Sequence, residues 1–344
     1  MLEPIDDIAG ILAGLPMPVL LIGRDARITV ANALALRLFG PACLGRHHGL
    51  TLRQPDLLTA VAAALGQNLA GRARLVLPGP SQDAVHDVTI TPLPLGALCA
   101  FEDLSALEQM DVMRRDFVAN VSHELRTPLT ALLGFIETLQ GAAKDDPAAR
   151  ARFLAIMAAE AERMNRLVAD LLNLSRVEAD ERLRPDGSTD ISAVLRAVVV
   201  TLKPMADSAG VAIQTFGVDQ PHVLRADSDQ ITQVLSNLIE NAVKYGSKAG
   251  STVRVVVSQE SGPRGAQLRM DIEDQGEGID AVHLPRLTER FYRVDGHRSR
   301  QMGGTGLGLA IVKHIVNRHR GRLLIHSEKG YGSRFSVILP QDRS

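Results

Sequence analysis

Hydrophobic and polar residues follow three different patterns along the chain. Between residues 18 and 103, short apolar runs are separated by segments rich in Gly and Pro, a pattern typical of strands and turns. The predicted strands are PVLLIG, RITVA, RARLVLP, AVHDVTITPLP and ALCAFED, and the predicted helices are NALALRLFG and residues 55–68. The order of two strands, two helices and three strands predicts a small antiparallel sheet flanked by helices.

The second pattern is helical. From residue 104 to about residue 140, apolar positions recur every three or four residues, as on one face of a helix. Residues 144–147, Lys-Asp-Asp-Pro, supply candidate N-caps and a proline suited to a first helical position. Residues 148–179 contain neither Gly nor Pro, which predicts a second helix on the order of 45 Å long. We expect an antiparallel hairpin whose exposed apolar stripe pairs with a second copy in a four-helix bundle.

The third pattern alternates strands and helices. Residues 181–189 are polar and contain Pro and Gly, which predicts a linker. Beyond it, the predicted strands are VRVVVSQ, LRMDIED, RLLIHSE and FSVILP, and the predicted helices are residues 191–208, 228–243 and 307–318. The predicted fold class is multidomain α+β. It divides into an N-terminal α/β domain (1–103), a helical hairpin (104–180), a linker (181–189) and a C-terminal α/β sandwich (190–344).

Composition restricts the function further. Lys and Arg total 38 against 39 for Asp and Glu, so the basic excess of a nucleic-acid binder is lacking. Cys43 and Cys99 make neither a disulfide framework nor a zinc site, which favours a reducing compartment. The N-terminal segment lacks a basic start, and nowhere do 18 uncharged apolar residues follow one another. We therefore expect a cytoplasmic protein without a transmembrane segment, and leave open an indirect association with the inner membrane through another protein.

The first candidate for chemistry is FVANVSHELRTPLT in the first long helix, where His123 and Glu124 are adjacent. A neighbouring carboxylate can take the proton of one imidazole nitrogen and leave the other nucleophilic. Pro128 removes a helix hydrogen bond at a cost of about 3 kcal/mol, which favours a functional reason for its presence. The ordinary alternative is a surface histidine or one satisfied within a core.

The second candidate lies in the C-terminal region. Asn237 and Asn241 fall four residues apart on one helix face, followed by Lys244 and Tyr245. Amide oxygens suit a hard cation such as Mg²⁺, and a lysine attracts phosphate. The alternative is a solvated polar face.

A carboxylate and a group of glycines complete the pattern. Asp274 precedes Gly276 and Gly278 at a strand end, where it can accept a hydrogen bond from an exocyclic amine beside a closely approaching backbone, or simply form a turn. In GGTGLGLA, residues 303–310, exposed backbone N–H groups at a helix start can bind phosphate. This loop is neither a Walker A loop nor a convincing dinucleotide fingerprint. The preceding HRSRQM predicts a basic flap, and GYGSRF predicts a turn that either supports a base pocket or only joins two strands.

Taken in this order, the motifs resemble those of two-component sensor histidine kinases. HELRTPL looks like the H-box, NLIENA the N-box, DQGEGI and GGTGLGLA the two Gly boxes and RFYR the F-box, over about residues 105–341. The resemblance implies an ATPase fold shared with Hsp90-type chaperones, gyrase and MutL. The N-terminal region resembles a PAS domain through Asp25, Asn32, Phe39, Gly40 and Gly45. LTERFYRVD with GGTGLGLAIVKHI is similar to the phosphate-regulon sensor branch, whose members usually carry membrane helices.

The resemblance also implies residue roles. His123 is the phosphoacceptor, Glu124 its general base, and Thr127 the residue that orients water when a partner is dephosphorylated. Asn241 holds the Mg²⁺ of Mg-ATP. The remaining nucleotide-binding positions are Asn237, Lys244, Tyr245, Asp274, Gly276, Gly278, Gly304, Thr305, Gly306, Leu307 and Gly308. Phe291 and Arg293 position the ATPase domain against the hairpin.

The implied partners are a second copy of the chain and a cognate response regulator that accepts the phosphoryl group on an aspartate. Two alternatives differ in class. A chaperone- or repair-type ATPase leaves HELRTPL unexplained. A phosphatase-biased or non-catalytic scaffold would typically show a degraded Gly loop or a lost Asn, and this sequence retains both.

Overall fold

The computed structural model describes residues 4–79, 83–141, 143–181, 183–262, 265–294 and 304–341. These residues belong to two compact units, residues 1–119 and 120–344.

The first unit contains one five-stranded antiparallel sheet in the order β2-β1-β5-β4-β3. Its strands are β1 Val19–Gly23, β2 Ile28–Ala31, β3 Gly71–Leu77, β4 Ala84–Leu93 and β5 Gly96–Asp103. Its helices are α1 Pro4–Ala13, α2 Ala33–Phe39, α3 His48–Thr51 and α4 Pro55–Gln67. The five predicted strands and two predicted helices are all present, while α1 and the four-residue α3 were not predicted.

Alternation along β1 explains why this sheet is covered on both faces. Leu20 and Ile22 belong to a core cluster that includes Leu57 and Val61 of α4. Val19 and Leu21 belong to a second, smaller cluster on the opposite face. Because successive side chains of a strand point to opposite faces, a fully apolar β1 is the expected pattern for a strand buried on both sides.

Two long helices follow, α5 Ser105–Gln140 and α6 Pro147–Ala179. The side chain of Asp146 accepts hydrogen bonds from the backbone N–H groups of residues 148 and 149, as expected for the predicted N-cap. The rings of Phe135 and Phe153 stack with centroids 5.3 Å apart, and Glu124 pairs with Arg163. Residues later in α5 therefore contact residues earlier in α6, which confirms the antiparallel hairpin.

The remaining elements form the C-terminal α/β region. Its helices are α7 Ile191–Ser208, α8 Ser228–Lys244 and α9 Gly308–Arg318. Its strands are β6 Ser188–Asp190, β7 Ala212–Phe216, β8 Val223–Arg225, β9 Thr252–Gly262, β10 Gly265–Glu273, β11 Arg322–Glu328 and β12 Gly332–Pro340. Five of these strands form a sheet in the order β11-β12-β10-β9-β7, in which only the β7–β9 pair is parallel.

One face of this sheet is apolar. Val253, Val255 and Val257 of β9 are buried, as are Met270 and Ile272 of β10. The helices contribute buried stripes at a helical spacing, among them Ile231, Leu235, Leu238, Ile239, Ile311 and Ile315. The predicted sandwich is therefore present.

Two details differ from the sequence-based expectation. The predicted linker, residues 181–189, ends in a strand, because β6 begins at Ser188 and pairs with β8. Strands β7 and β8 were not predicted, since they are only five and three residues long and therefore too short to show a periodic pattern. Among the helices that the structure describes, none has the length and apolar character needed to cross a bilayer.

Candidate functional site

His123 lies on α5 with an exposed side chain, one turn before an internal proline. Pro128 has no N–H to donate to the carbonyl oxygen of Glu124, and the helix nevertheless continues through it. The hydroxyl of Thr127 donates to the carbonyl oxygen of His123 at 3.1 Å. The predicted phosphoacceptor is therefore accessible to solvent. The helix turn that follows it lacks one backbone hydrogen bond, the one from residue 128 to Glu124.

The carboxylate of Glu124 is held by the second helix of the hairpin. Arg163 donates to Glu124 at 3.1 Å and to Glu160 at 2.9 Å. These side chains are half-buried, so the pair is better shielded from solvent than a surface ion pair. Arg163 thus occupies one carboxylate oxygen, Oε2, of the predicted base.

A cavity of about 500 Å³ lies between α8, the strand ends and the loop before α9, and helix α6 closes one side. Most predicted nucleotide residues line it: Asn237, Asn241, Lys244, Tyr245, Asp274, Gly278, Gly304, Thr305, Gly306 and Gly308. Two described residues from the same prediction do not. Gly276 lies just behind the wall, and Leu307 has a fully buried side chain at the start of α9.

Asp274 forms the buried end of the cavity. Its Oδ1 atom accepts the backbone N–H groups of Gly276 at 3.0 Å and Ser333 at 3.1 Å. Burial raises the pKa of this carboxyl, and the two backbone hydrogen bonds oppose that rise. A carboxylate with its first oxygen fixed in this way can offer the second to an amine of a planar ligand.

Glycines surround this carboxylate because no side chain would fit beside it. A Cβ atom on Gly246 would overlap the carboxylate of Asp274, and one on Gly332 would overlap its carbonyl oxygen. Gly332 also has φ +99°, a conformation that L side chains rarely adopt. Gly332 therefore supports the pocket rather than only joining two strands. Gly246 was missed by the sequence analysis, although it directly follows the predicted Tyr245.

The α8 side of the cavity carries polar and charged groups. The amide nitrogen of Asn237 donates to the carbonyl oxygen of Gly308 at 3.4 Å, which links α8 to the start of α9. Lys244 forms an ion pair with Glu240 at 2.6 Å. Asn241, with its amide oxygen, and Glu240, with its carboxylate, both line the same cavity. Such oxygen donors suit Mg²⁺, which is commonly held by one or two protein ligands together with phosphates and water.

The loop at residues 304–307 leads into α9, so its backbone can present N–H groups at a helix start. The carbonyl oxygen of Gly306 accepts the N–H of Phe291 at 2.8 Å. Phe291 has φ +64°, an unusual value for a bulky residue. The predicted F-box is thus hydrogen-bonded directly to the loop that is predicted to bind phosphate. The predicted basic flap, HRSRQM, and Gly303 lie outside the described residues.

Helix α6 contacts this loop through a pair that the sequence analysis missed. The Thr305 hydroxyl donates to Oδ2 of Asp170 at 2.7 Å. Burial raises the pKa of Asp170, with Glu240 adding to the rise, while the hydrogen bond from Thr305 and the cations Arg166 and Lys244 lower it. Arg166 lines the same cavity one turn earlier on α6.

A second, much smaller pocket of about 10 Å³ lies beside this contact. Thr305 and Glu124 both line it, together with Pro128, Arg163, Met164 and Leu167. The structure therefore brings the glycine-rich loop to the hairpin at the level of the residue next to His123.

The end of α6 is joined to the C-terminal region by a second set of contacts, also missed from sequence. Arg290 donates twice to Glu178, at 3.0 and 2.6 Å. His314 of α9 approaches Glu181 at 2.8 Å and Glu178 at 3.4 Å. Burial acts to raise the pKa of Glu181, but hydrogen bonds from His314 and Asn317 outweigh it and lower the pKa. Arg290, adjacent to the predicted Phe291, therefore contacts the hairpin.

Comparison with known proteins supports these assignments at the level of domains. Residues 113–180 match the family model of the His Kinase A (phospho-acceptor) domain. Residues 226–343 match that of the histidine kinase-, DNA gyrase B- and HSP90-like ATPase, which implies ATP binding. The His-Glu pair falls in the first segment, and the residues from Asn237 to Gly332 fall in the second.

Two curated relatives illustrate the similarity. The chain is 40% identical over 239 residues to the phosphate regulon sensor protein PhoR of Pseudomonas aeruginosa, an alignment covering 70% of this chain and 53% of PhoR. It is 39% identical over 246 residues to the sensor-like histidine kinase SenX3 of Mycobacterium tuberculosis, covering 71% of this chain and 58% of SenX3. The chain thus spans little more than half the length of these relatives.

A solved structure shares the fold. Histidine kinase ThkA, in a crystal structure with response regulator protein TrrA, aligns with a TM-score of 0.52 and 21% sequence identity. The alignment covers 97% of this chain and 98% of that chain.

Proposed function

We propose that the chain is a sensor histidine kinase, an ATP-dependent protein-histidine kinase that phosphorylates His123 and passes the phosphoryl group to an aspartate of a response regulator. The observation that carries the proposal is the position of Thr305. This residue lines both the cavity containing the predicted nucleotide residues and the pocket containing Glu124, the neighbour of His123.

The cavity supports a division of roles. Asp274 accepts the adenine amino group, and Gly276, Gly278 and Tyr245 shape that end of the site. Backbone N–H groups of residues 304–308 and the ammonium of Lys244 bind phosphates. Asn241, with Asn237 beside it, holds Mg²⁺, which when bound neutralises charge on the phosphates.

Phosphoryl transfer needs in-line placement of the histidine and little other covalent chemistry. Glu124 takes the proton from one ring nitrogen of His123, and the other nitrogen forms the bond to the γ-phosphorus as the bond to the β-phosphate oxygen breaks. ADP is the leaving group. Thr127 orients water for the reverse function, dephosphorylation of the regulator.

The apolar side chains of the hairpin support a homodimer. Leu129, Leu133, Leu154, Val168 and Leu172 are all more than 40% exposed in the single chain. Burying such a stripe against a second hairpin gives the four-helix bundle expected from the sequence.

The proposal also includes the domain limits given above, with residues 1–103 as a PAS-like sensor domain. It further includes a role in phosphate-responsive signalling.

The kinase proposal is tested by incubating the full chain with γ-labelled ATP and Mg²⁺. We expect an acid-labile, base-stable label that disappears in His123→Gln. The matched control is His326→Gln, since His326 is an exposed histidine on β11, and its label should equal that of the original protein. Nucleotide binding without any label would contradict the kinase activity.

The signalling role is tested by profiling phosphotransfer from the labelled protein to purified response regulators. A preferred regulator unrelated to phosphate control would contradict the role in phosphate-responsive signalling.

A further inference from the structure

The contact between Thr305 and Asp170 is unusual in its position. Thr305 belongs to the loop proposed to bind phosphates, yet its hydroxyl is used by a carboxylate of the hairpin at 2.7 Å. Asp170 itself lines the nucleotide cavity, on the side where Asn241, Lys244 and Gly306 also lie. An acidic side chain therefore lies where the proposed phosphate-binding groups converge.

The surrounding charges make this arrangement sensitive to a further anion. Arg166 and Lys244 favour the ionised form of Asp170, whereas Glu240 and burial disfavour it. Lys244 is already paired with Glu240, so much of its charge is compensated. A polyphosphate entering the cavity adds several negative charges close to Asp170 in a partly desolvated space, where like charges repel more strongly than in water.

We propose that Asp170 makes the docked position of helix α6 and the binding of a nucleotide triphosphate mutually exclusive at Thr305. ATP takes over the hydroxyl of Thr305 and repels Asp170, so that α6 separates from the glycine-rich loop. A nucleoside without phosphates leaves the contact intact. This inference rests on the proposed function, because it requires ATP phosphates at residues 304–308.

The consequence reaches the His-Glu pair. Thr305 also borders the small pocket formed by Glu124, Pro128 and Arg163. When Thr305 leaves Asp170, one wall of that pocket is removed, and the Glu124–Arg163 pair becomes more open to solvent. Nucleotide binding is thus coupled to the exposure of the proposed base.

The test compares nucleotide affinities by calorimetry in full-length protein carrying His123→Gln, so that no ATP is consumed by autophosphorylation. Adding Asp170→Asn should tighten ATP binding on the order of fivefold, because a neutral amide is a weaker competitor for the hydroxyl and no longer repels phosphate. Adenosine affinity should not change. The matched control, Glu162→Gln, removes one charge from an exposed position on the same helix and should alter neither affinity.

A second variant separates the hydrogen bond from general electrostatics. In a Thr305→Val background, Asp170→Asn should lose most of its effect on ATP binding, since the shared hydroxyl is gone. Equal ATP affinity with and without Asp170→Asn would overturn the inference while leaving the kinase proposal standing. Absence of ATP binding altogether would overturn both.

Hydrogen exchange on the otherwise unsubstituted His123→Gln chain gives an independent measurement. ATP should accelerate exchange in the segment of α6 around residues 167–174, and adenosine should not. The same exchange rates with both ligands would contradict the inference, even if the affinities changed as expected.

Discussion

The two ends of the proposed nucleotide cavity are built in different ways. The end containing Asp274 is made by strand ends and glycines of the C-terminal region, and backbone N–H groups fix the carboxylate. The end containing Thr305 depends on side chains of α6, a helix more than 100 residues away in sequence. The first end therefore forms whenever the C-terminal sheet folds, whereas the second changes with the position of the hairpin.

The energies of the two ends differ accordingly. Overlap at Gly246 or Gly332 involves backbone and a buried carboxylate, which have little room to move. Besides its buried apolar side chains Leu167, Leu174 and Val177, helix α6 makes hydrogen bonds and ion pairs between partly exposed side chains, such as Glu178 with Arg290. Pairs of this kind typically contribute about 1 kcal/mol or less each. The structure thus combines a tightly packed pocket around Asp274 with a hairpin whose polar contacts are individually weak.

The largest expected effect is at the rigid end. Gly332→Ala should destabilise the protein by about 3 kcal/mol, because positive φ and overlap with the Asp274 carbonyl both oppose the new methyl group. The measurement is the unfolding free energy in urea, followed by adenosine affinity, which should also fall.

Gly330→Ala is the matched control for that substitution. Gly330 has a similar φ of +93°, but no atom lies within 4 Å of its added Cβ atom. We expect only the conformational cost, about 1 kcal/mol, and little change in adenosine affinity. If both variants lost the same stability, overlap with Asp274 would not be what requires glycine at position 332.

Asp274→Asn should give an intermediate effect on binding and an informative dependence on pH. Losing the charged acceptor should weaken adenosine binding by about 2 kcal/mol, or roughly thirtyfold. Because the folded-state pKa of Asp274 is raised, its contribution to stability is fully present below the unfolded pKa and is lost as pH rises through the folded pKa. The variant should therefore gain stability relative to the original protein at pH 7.

Unfolding experiments between pH 7 and pH 4 check that sign. The relative gain of Asp274→Asn should shrink as the pH is lowered and the original carboxyl becomes protonated. A gain that increased on acidification would instead indicate a carboxyl stabilised in its charged form by the two backbone hydrogen bonds.

The smallest expected effect is at the hairpin contacts. Glu178→Gln should weaken docking of α6 by about 0.5–1 kcal/mol, since Arg290 and His314 lose a charged partner that is itself partly exposed. Hydrogen exchange of α9 should increase, and high salt should produce a similar increase in the original protein. Adenosine affinity should stay constant. A parallel loss of adenosine affinity would mean that the two ends of the cavity are not separable.

The same contrast explains what could be predicted from the sequence. Asn237, Asn241, Asp274 and the glycines of residues 304–308 stand in motifs with recognisable local spacing, and the resemblance of those motifs to histidine kinase boxes implied that they meet in one site. The long helices were equally clear from their periodicity. Gly246 was missed, although it stands next to Tyr245, because only the approach of Asp274 in three dimensions explains why a glycine is needed there.

The contacts of α6 could not be predicted in this way. Thr305 and Asp170 are separated by 135 residues, and Arg290 and Glu178 by 112. Asp170 and Glu178 look like ordinary polar positions on an exposed helix face, since docking partners leave no periodic signal in a single sequence. The left-handed conformation of Phe291 has no sequence signature either, because a bulky residue seldom adopts it.

Pro128 has a mechanical consequence. Helix α5 runs continuously from Ser105 to Gln140. Because Pro128 has no N–H group, the backbone hydrogen bond from residue 128 to the carbonyl oxygen of Glu124 is missing. The missing hydrogen bond lowers the torsional stiffness of the turn that follows His123. Twist arriving along α5 would be taken up partly in that turn, which would change the direction in which His123 points.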